Sequence, residues 1–238
     1  MHWAAARGFE SSPGAPSPLS VLALVRAGGG DTLRVYIEGD GAAWSSPYHP
    51  PADPTPDAPV GLALAAADPA SPVAYLGRPC QYRASPEASA CPVSYWTSHR
   101  FSPEIVEHYL RELDRLKNAS RASRLHLAGY SGGGVLALLL AARRDDVIGV
   151  TTVAAPVSVA EWTEWHGASR LDGSLDPARE EGPLPPTIHF VGDRDRVVPE
   201  AVVAPFVTRK GGRLRVVPGF DHHCCWSRDW RRLLEEMQ

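Results

Sequence analysis

From residue 73 onward, short apolar runs alternate with stretches of helical periodicity, and few architectures accept such a chain. "VAYLG" (73–77), "RLHLAG" (124–129), "VIGVTTVAA" (147–155), "TIHFVG" (187–192) and "LRVVPG" (214–219) read as strands. Such short, near-continuous apolar runs suit strands covered on both faces. Between and after them, "SPEIVEHYLRELDRLKNA" (102–119), "GGGVLALLLAARRD" (132–145), "PEAVVAPFVTRK" (199–210) and "SRDWRRLLEEM" (227–237) read as helices. The first has Ser102 at its N-cap and Pro103 at N1. Its Ile105, Tyr109, Leu110, Leu113 and Leu116 follow helical spacing. The last sets Trp230, Leu233, Leu234 and Met237 on one face. The alternation predicts an α/β fold: a mostly parallel central sheet with helices on both faces.

The N-terminal part reads differently. "VLALVRA" (21–27) and "TLRVYIEG" (32–39) are strands separated by "GGGD", which predicts an antiparallel hairpin ahead of the parallel sheet. Residues 40–61 are too rich in Pro and Asp for regular structure and read as an extended loop. "LALAAAD" (62–68) reads as a helix, and 156–186 as an irregular, Trp-containing segment. The chain has 238 residues, which fits one domain spanning 1–238.

Charge and hydropathy exclude some classes. The net charge is −3 and only Lys117 and Lys210 are lysines, so the basic face of a nucleic-acid binder is not expected. No run reaches 18 apolar residues, so no membrane span is expected; "VLALLLAA" (135–142) is far too short. The first residues lack the basic start and long apolar stretch of a signal peptide.

The four cysteines allow three pairings. Cys80 and Cys91 bracket a polar loop, and a bond closing it would stabilise by about 3 kcal/mol. That is the expected pair. A bond between the adjacent Cys224 and Cys225 would be strained but possible. The competing reading is four free thiols in a reducing cytosol.

The stretch "HLAGYSGGG" (126–134) then carries the chemistry. Ser131 stands between a strand and a helix, with Gly129, Gly132, Gly133 and Gly134 around it. Glycine suits a backbone that must bend sharply or pack closely. A Gly-x-Ser-x-Gly turn in that context lifts the serine oxygen off the sheet and places the Gly132 N–H at a helix N-terminus, where it can stabilise an oxyanion. A serine needs a histidine to take its proton and a carboxylate to orient that histidine. The loop after 187–192 offers Asp193 and Asp195; the loop after 214–219 offers His222 and His223. Both leave the same sheet edge as Ser131, where parallel α/β sheets hold ligands.

With these motifs the chain resembles the α/β-hydrolase family over essentially its full length. "VYIEGDGAAW", "DPTP", "RPCQY", "GYSGGG" and "HHCCW" look like those of a group of bacterial hydrolases that are often exported. The resemblance implies Asp195 as the acid and His222 as the base. It implies a second oxyanion donor in "YIEGDG" (36–41), where the family often has His-Gly and this chain has Glu38. By position that donor is the N–H of Asp40, with Gly41 behind it. The expectation is an exported protein, periplasmic, lipoprotein-derived or extracellular, whose leader is absent from this chain; a cytoplasmic protein stays open.

Trp44, Tyr130, Trp162 and Trp165 are candidate substrate contacts, with ordinary packing as the competing reading. Arg78 at a strand end reads as a paired or solvated arginine, and His126 and His189 as core histidines. No lysine follows the glycines, so they are not a phosphate cradle, and "DHHCC" lacks metal-ligand spacing. No metal and no cofactor are expected. The partner expected is a small-molecule ester, preferably of a short acid, because 156–186 is too short for a large lid. Thioesterase, acyltransferase and non-enzymatic binding are the alternatives; a prolyl-oligopeptidase-like peptidase would need a large further domain.

Overall fold

The computed structural model describes residues 2–42, 49–83 and 91–236. Its chain order is α1 (His2–Ala5), β1 (Glu10–Ser11), β2 (Ala23–Arg26), β3 (Thr32–Ile37), α2 (Val60–Ala67), β4 (Val73–Leu76), α3 (Pro103–Ala119), β5 (Arg124–Tyr130) and α4 (Gly132–Ala141). There follow β6 (Val147–Val153), α5 (Val159–Trp165), β7 (Thr187–Gly192), α6 (Glu200–Lys210), β8 (Arg213–Val217) and α7 (Trp226–Glu235). The strands form one eight-stranded sheet in the order β1-β2-β4-β3-β5-β6-β7-β8. β1 with β2 and β2 with β4 are antiparallel; every other pairing is parallel.

Strand alternation sorts the core into two layers. On β3, Leu33, Val35 and Ile37 face one side, where they join α3, α4 and the Phe206 face of α6. Tyr36 faces the other, with α2 and the Trp226, Trp230 and Leu233 face of α7. Helix α4 is buried along its whole length, which explains why it is apolar all round. It ends at Ala141, earlier than its sequence pattern implied, where Arg144 turns out to pair with Asp146 and Asp114.

The antiparallel start is present, but β2 and β3 are not a hairpin. β4 lies between them, antiparallel to β2 and parallel to β3. The glycines of "GGGD" serve a different purpose. A Cβ on Gly28 or Gly30 would overlap Ser71, just ahead of β4. They let the connection cross closely over the start of β4 rather than turn tightly back. β3, buried at four of its six residues, takes an inner position, while the shorter β2, only partly buried at Val25 and Arg26, takes an outer one.

Cys80 and Cys91 are joined by a disulfide with a Cα separation of 5.9 Å, and Cys224 and Cys225 are joined to each other. Among the described residues no helix is long and apolar enough to cross a membrane, and no group of three His, Cys, Asp or Glu side chains could hold a metal ion.

Candidate active site

Ser131 sits between β5 and α4 with φ 49° and ψ −125°. Its neighbours must be small for the turn to close. A Cβ on Gly129 would strike the backbone of Gly133 and Gly134, and one on Gly133 would strike the carbonyls of Ile37 and Glu38. The Ser131 N–H donates to the Val153 carbonyl at 2.8 Å, which ties the turn to the end of β6.

Three loops converge there. The Ser131 hydroxyl lies 3.2 Å from Nε2 of His222, and Nδ1 of His222 lies 2.9 Å from Oδ2 of Asp195. An ionised carboxylate only accepts, so Nδ1 carries the proton and Nε2 is left to accept from the serine. Asp195 is buried, and its Oδ1 accepts from the N–H groups of Val197 and Val198, both at 2.8 Å. Those bonds fix the carboxylate in place.

The neighbouring candidates are occupied otherwise. Asp193 accepts from the Gly219 N–H at 2.7 Å and so clasps the loops after β7 and β8 together. The imidazole of His223 stands perpendicular to that of His222, with Nδ1 3.3 Å from the Tyr130 hydroxyl. Tyr130 also donates to the His222 carbonyl at 3.0 Å, so it braces the histidine loop while lining the cavity.

A cavity of about 490 Å³ opens over Ser131. Asp40, Gly41, Tyr130, Ser131 and Trp162 border it, while Gly132 is buried. The Trp162 indole N–H donates to the Val197 carbonyl at 2.7 Å, so its ring is a fixed wall. Trp165 is not part of that wall. It is 58% exposed, because it lies roughly 240° around α5 from the buried Val159. Trp44 lies outside the described residues. The segment from 156 to 186 is pinned down: Asp176 accepts from the Val159 and Ala160 N–H groups, and the Ser174 hydroxyl bridges Phe101 and Ser98.

Around the loop after β3 the side chains have partners that the sequence did not show. The Glu38 carboxylate accepts from the N–H of Gly39 and Gly61 at 3.0 Å each, from Leu62 at 3.2 Å and from the Tyr75 hydroxyl at 3.1 Å. Burial pushes its carboxyl pKa up against those donors. Arg78, read as paired or solvated, is paired. It bonds Asp40 at 2.6 Å, and Arg100, which was not singled out, bonds the same carboxylate at 2.9 Å. The one advance signal for Arg100 was its place just before a helix N-terminus that opens on the strand ends.

No protein-family model and no curated protein sequence matches the chain. Solved structures do. The esterase Est1E from Butyrivibrio proteoclasticus superimposes with a TM-score of 0.61 at 13% identity, covering 95% of this chain and 98% of that one. An α/β serine hydrolase without a lid from Xanthomonas campestris gives 0.58 at 15%, covering 96% and 93%. A proline iminopeptidase-related protein from Thermus thermophilus gives 0.64 at 15%, covering 96% of each. At such identities the likeness concerns architecture: this chain has the α/β-hydrolase fold, with a mostly parallel sheet, an antiparallel start and, among the described residues, little or no lid.

Proposed function

We propose that the protein is a serine hydrolase that cleaves carboxylic esters through an acyl-enzyme on Ser131. The hydrogen-bonded chain from Ser131 through His222 to Asp195, whose first two members line the cavity, is the observation that carries this reading. Attack by the Ser131 Oγ on the ester carbonyl transfers the hydroxyl proton to Nε2 of His222. Asp195 steadies the imidazolium through Nδ1. The carbonyl oxygen becomes an oxyanion, which accepts hydrogen bonds from the N–H groups of Gly132 and Asp40. His222 then returns the proton to the departing alkoxide, which leaves as alcohol. Water repeats the sequence on the acyl-enzyme and releases the acid.

The geometry supports a short acyl group. Trp162 and the pinned segment beneath it leave one modest cavity. A long chain would have to leave it past Ala58 and His223 for a second, more apolar groove of about 860 Å³ that shares those two residues. Each methylene buried there would add roughly 0.8 kcal/mol. A series of p-nitrophenyl esters from acetate to palmitate separates the two. Activity is expected to peak at short acids without a jump above the micellar concentration; a steady climb into the long chains overturns the short-acyl preference. Thioesters and aminoacyl amides of the same acid, run beside the oxygen esters, test the ester assignment. The two disulfides favour an oxidising compartment as the working location.

The primary test is chemical. A fluorophosphonate is expected to label wild-type protein at Ser131, as mapped by mass spectrometry. Ser131→Ala is expected to remove labelling and to lower kcat by at least about 10³-fold. An adduct elsewhere, or full turnover by the alanine variant, rejects the mechanism.

A further inference from the structure

The carboxylate of Asp40 is in an unexpected place for this chemistry. A Cβ added to Gly132 would overlap it, so it lies directly against the first residue of α4, where the oxyanion is to form. Left alone, a negative charge there would oppose the tetrahedral intermediate. It is not left alone. Arg78 Nη1 donates to Oδ1 at 2.6 Å and Arg100 Nη1 to Oδ2 at 2.9 Å, so each oxygen has its own guanidinium.

Both arginines are themselves held. Arg78 Nη2 donates to the Arg100 carbonyl at 2.5 Å, and Arg100 Nε donates to the Thr97 carbonyl at 2.7 Å. The Arg78 N–H donates to the Gln81 side chain at 3.0 Å, and that side chain donates on to the Gly39 carbonyl at 3.1 Å. The pair is thus built into the loop that carries the Asp40 N–H. Arg78 is 3% exposed and Arg100 6%, so water does little of the screening. Burial alone would raise the Asp40 carboxyl pKa, but the two guanidiniums outweigh it and hold it below the usual aspartate range.

We propose that Arg78 and Arg100 are positioning residues of the oxyanion site: they clamp Asp40 so that its backbone N–H faces Ser131, and they turn the local charge from −1 to +1. This rests on the reading of Ser131 as nucleophile. A structural ion pair would not need two cations on one carboxylate. Buried charges that only hold a loop do best when they cancel. Over these three side chains the sum is left positive beside the place where negative charge develops; Arg100 and Asp40 border the cavity, as does Glu38, a further carboxyl whose pKa burial raises.

The charge count gives the test. Arg100→Gln lowers the sum to zero; adding Asp40→Asn restores +1 with Arg78 still bonded. With p-nitrophenyl acetate, Arg100→Gln is expected to lower kcat by at least about tenfold with KM within about threefold, the signature of a lost transition-state interaction. Affinity for a short alkyl trifluoromethyl ketone, whose hemiketal mimics the oxyanion, is expected to fall in parallel. Arg100→Lys is expected to recover most of the loss. The Asp40→Asn/Arg100→Gln protein is expected to regain about tenfold over Arg100→Gln, although it lacks one more buried partner. A purely structural pair predicts the reverse, a further loss with a lower Tm, and that result overturns the proposal, as does an unchanged kcat in Arg100→Gln. Should Arg100→Gln not fold, the double variant decides: a loss below about 100-fold from wild type supports the proposal and a larger one overturns it. Fluorophosphonate labelling of wild-type Ser131 is read first. Its absence removes the nucleophile and this inference together; its presence with a failed Arg100 series removes this inference alone.

Discussion

Ser131 has a positive φ that residues with a Cβ rarely adopt, at a cost of order 1–3 kcal/mol. The four surrounding glycines and the bond to Val153 hold it there, and the same conformation aims the hydroxyl at His222. Gly129→Ala is therefore expected to reach the backbone of α4 and destabilise the protein by more than about 2 kcal/mol, read as a fall in the urea midpoint. Tyr130 tests a subtler point. Its hydroxyl donates to the His222 carbonyl, but the Trp226 indole N–H donates to the same oxygen at 3.1 Å. Tyr130→Phe removes one of two braces, so the expected loss is about 1 kcal/mol of stability and only a few-fold in kcat. A loss as large as that of Ser131→Ala would mean that the hydroxyl touches substrate. The serine, with its strand–turn–helix frame, was legible because its constraint is local. The bracing role of Tyr130 was not, since its partners lie about 90 residues downstream.

The elements divide in the same way. Each of the strands from 73 onward was legible from its own apolar run, and α3 from its spacing and its Pro103. The neighbour relation between β2, β4 and β3 was not, because it depends on which strand has both faces covered. Helix α2 shows the difference most sharply. Its N-cap is Pro59, which supplies no side-chain acceptor, so its first N–H groups must find one elsewhere. Gly61 and Leu62 donate to Glu38, at the end of β3 and 23 and 24 residues away. In the sequence Glu38 was only a departure from a His-Gly pattern. In the fold it fastens α2 to the loop that carries Asp40. Glu38→Ala would leave those donors buried and unpaired, a loss of about 2–3 kcal/mol, with hydrogen exchange accelerated at Gly61 and Leu62 of α2 more than in the strands of the sheet. Uniform acceleration across all elements would show that Glu38 supports the fold in general and α2 in no special way.

At the scale of the whole molecule, the sheet separates two apolar layers, and the polar groups inside them set the response to acid. His189 on β7 is fully buried on the α6 side, with its Nδ1 2.8 Å from the Thr152 hydroxyl and its ring edge against Phe206. Burial pushes its pKa down to about 4, against about 6.5 in an unfolded chain. Between those values the unfolded state binds a proton that the folded state refuses. The contribution is thus intact above about pH 6.5 and is lost as the pH falls towards 4: about 2 kcal/mol at pH 5 and about 3 kcal/mol by pH 4. His126, which burial also pushes down to about 4, and His108, lowered by burial as well, act in the same direction, so wild-type behaviour alone cannot assign the effect. His189→Phe keeps a ring against Phe206 and removes the titration. Urea unfolding at pH 7.5 and at pH 5 is expected to show the wild type losing about 2 kcal/mol more than this variant over the interval, whatever the variant's stability at pH 7.5. Equal losses would mean that His189 takes up its proton within the folded state, and that the layer beneath α6 admits water.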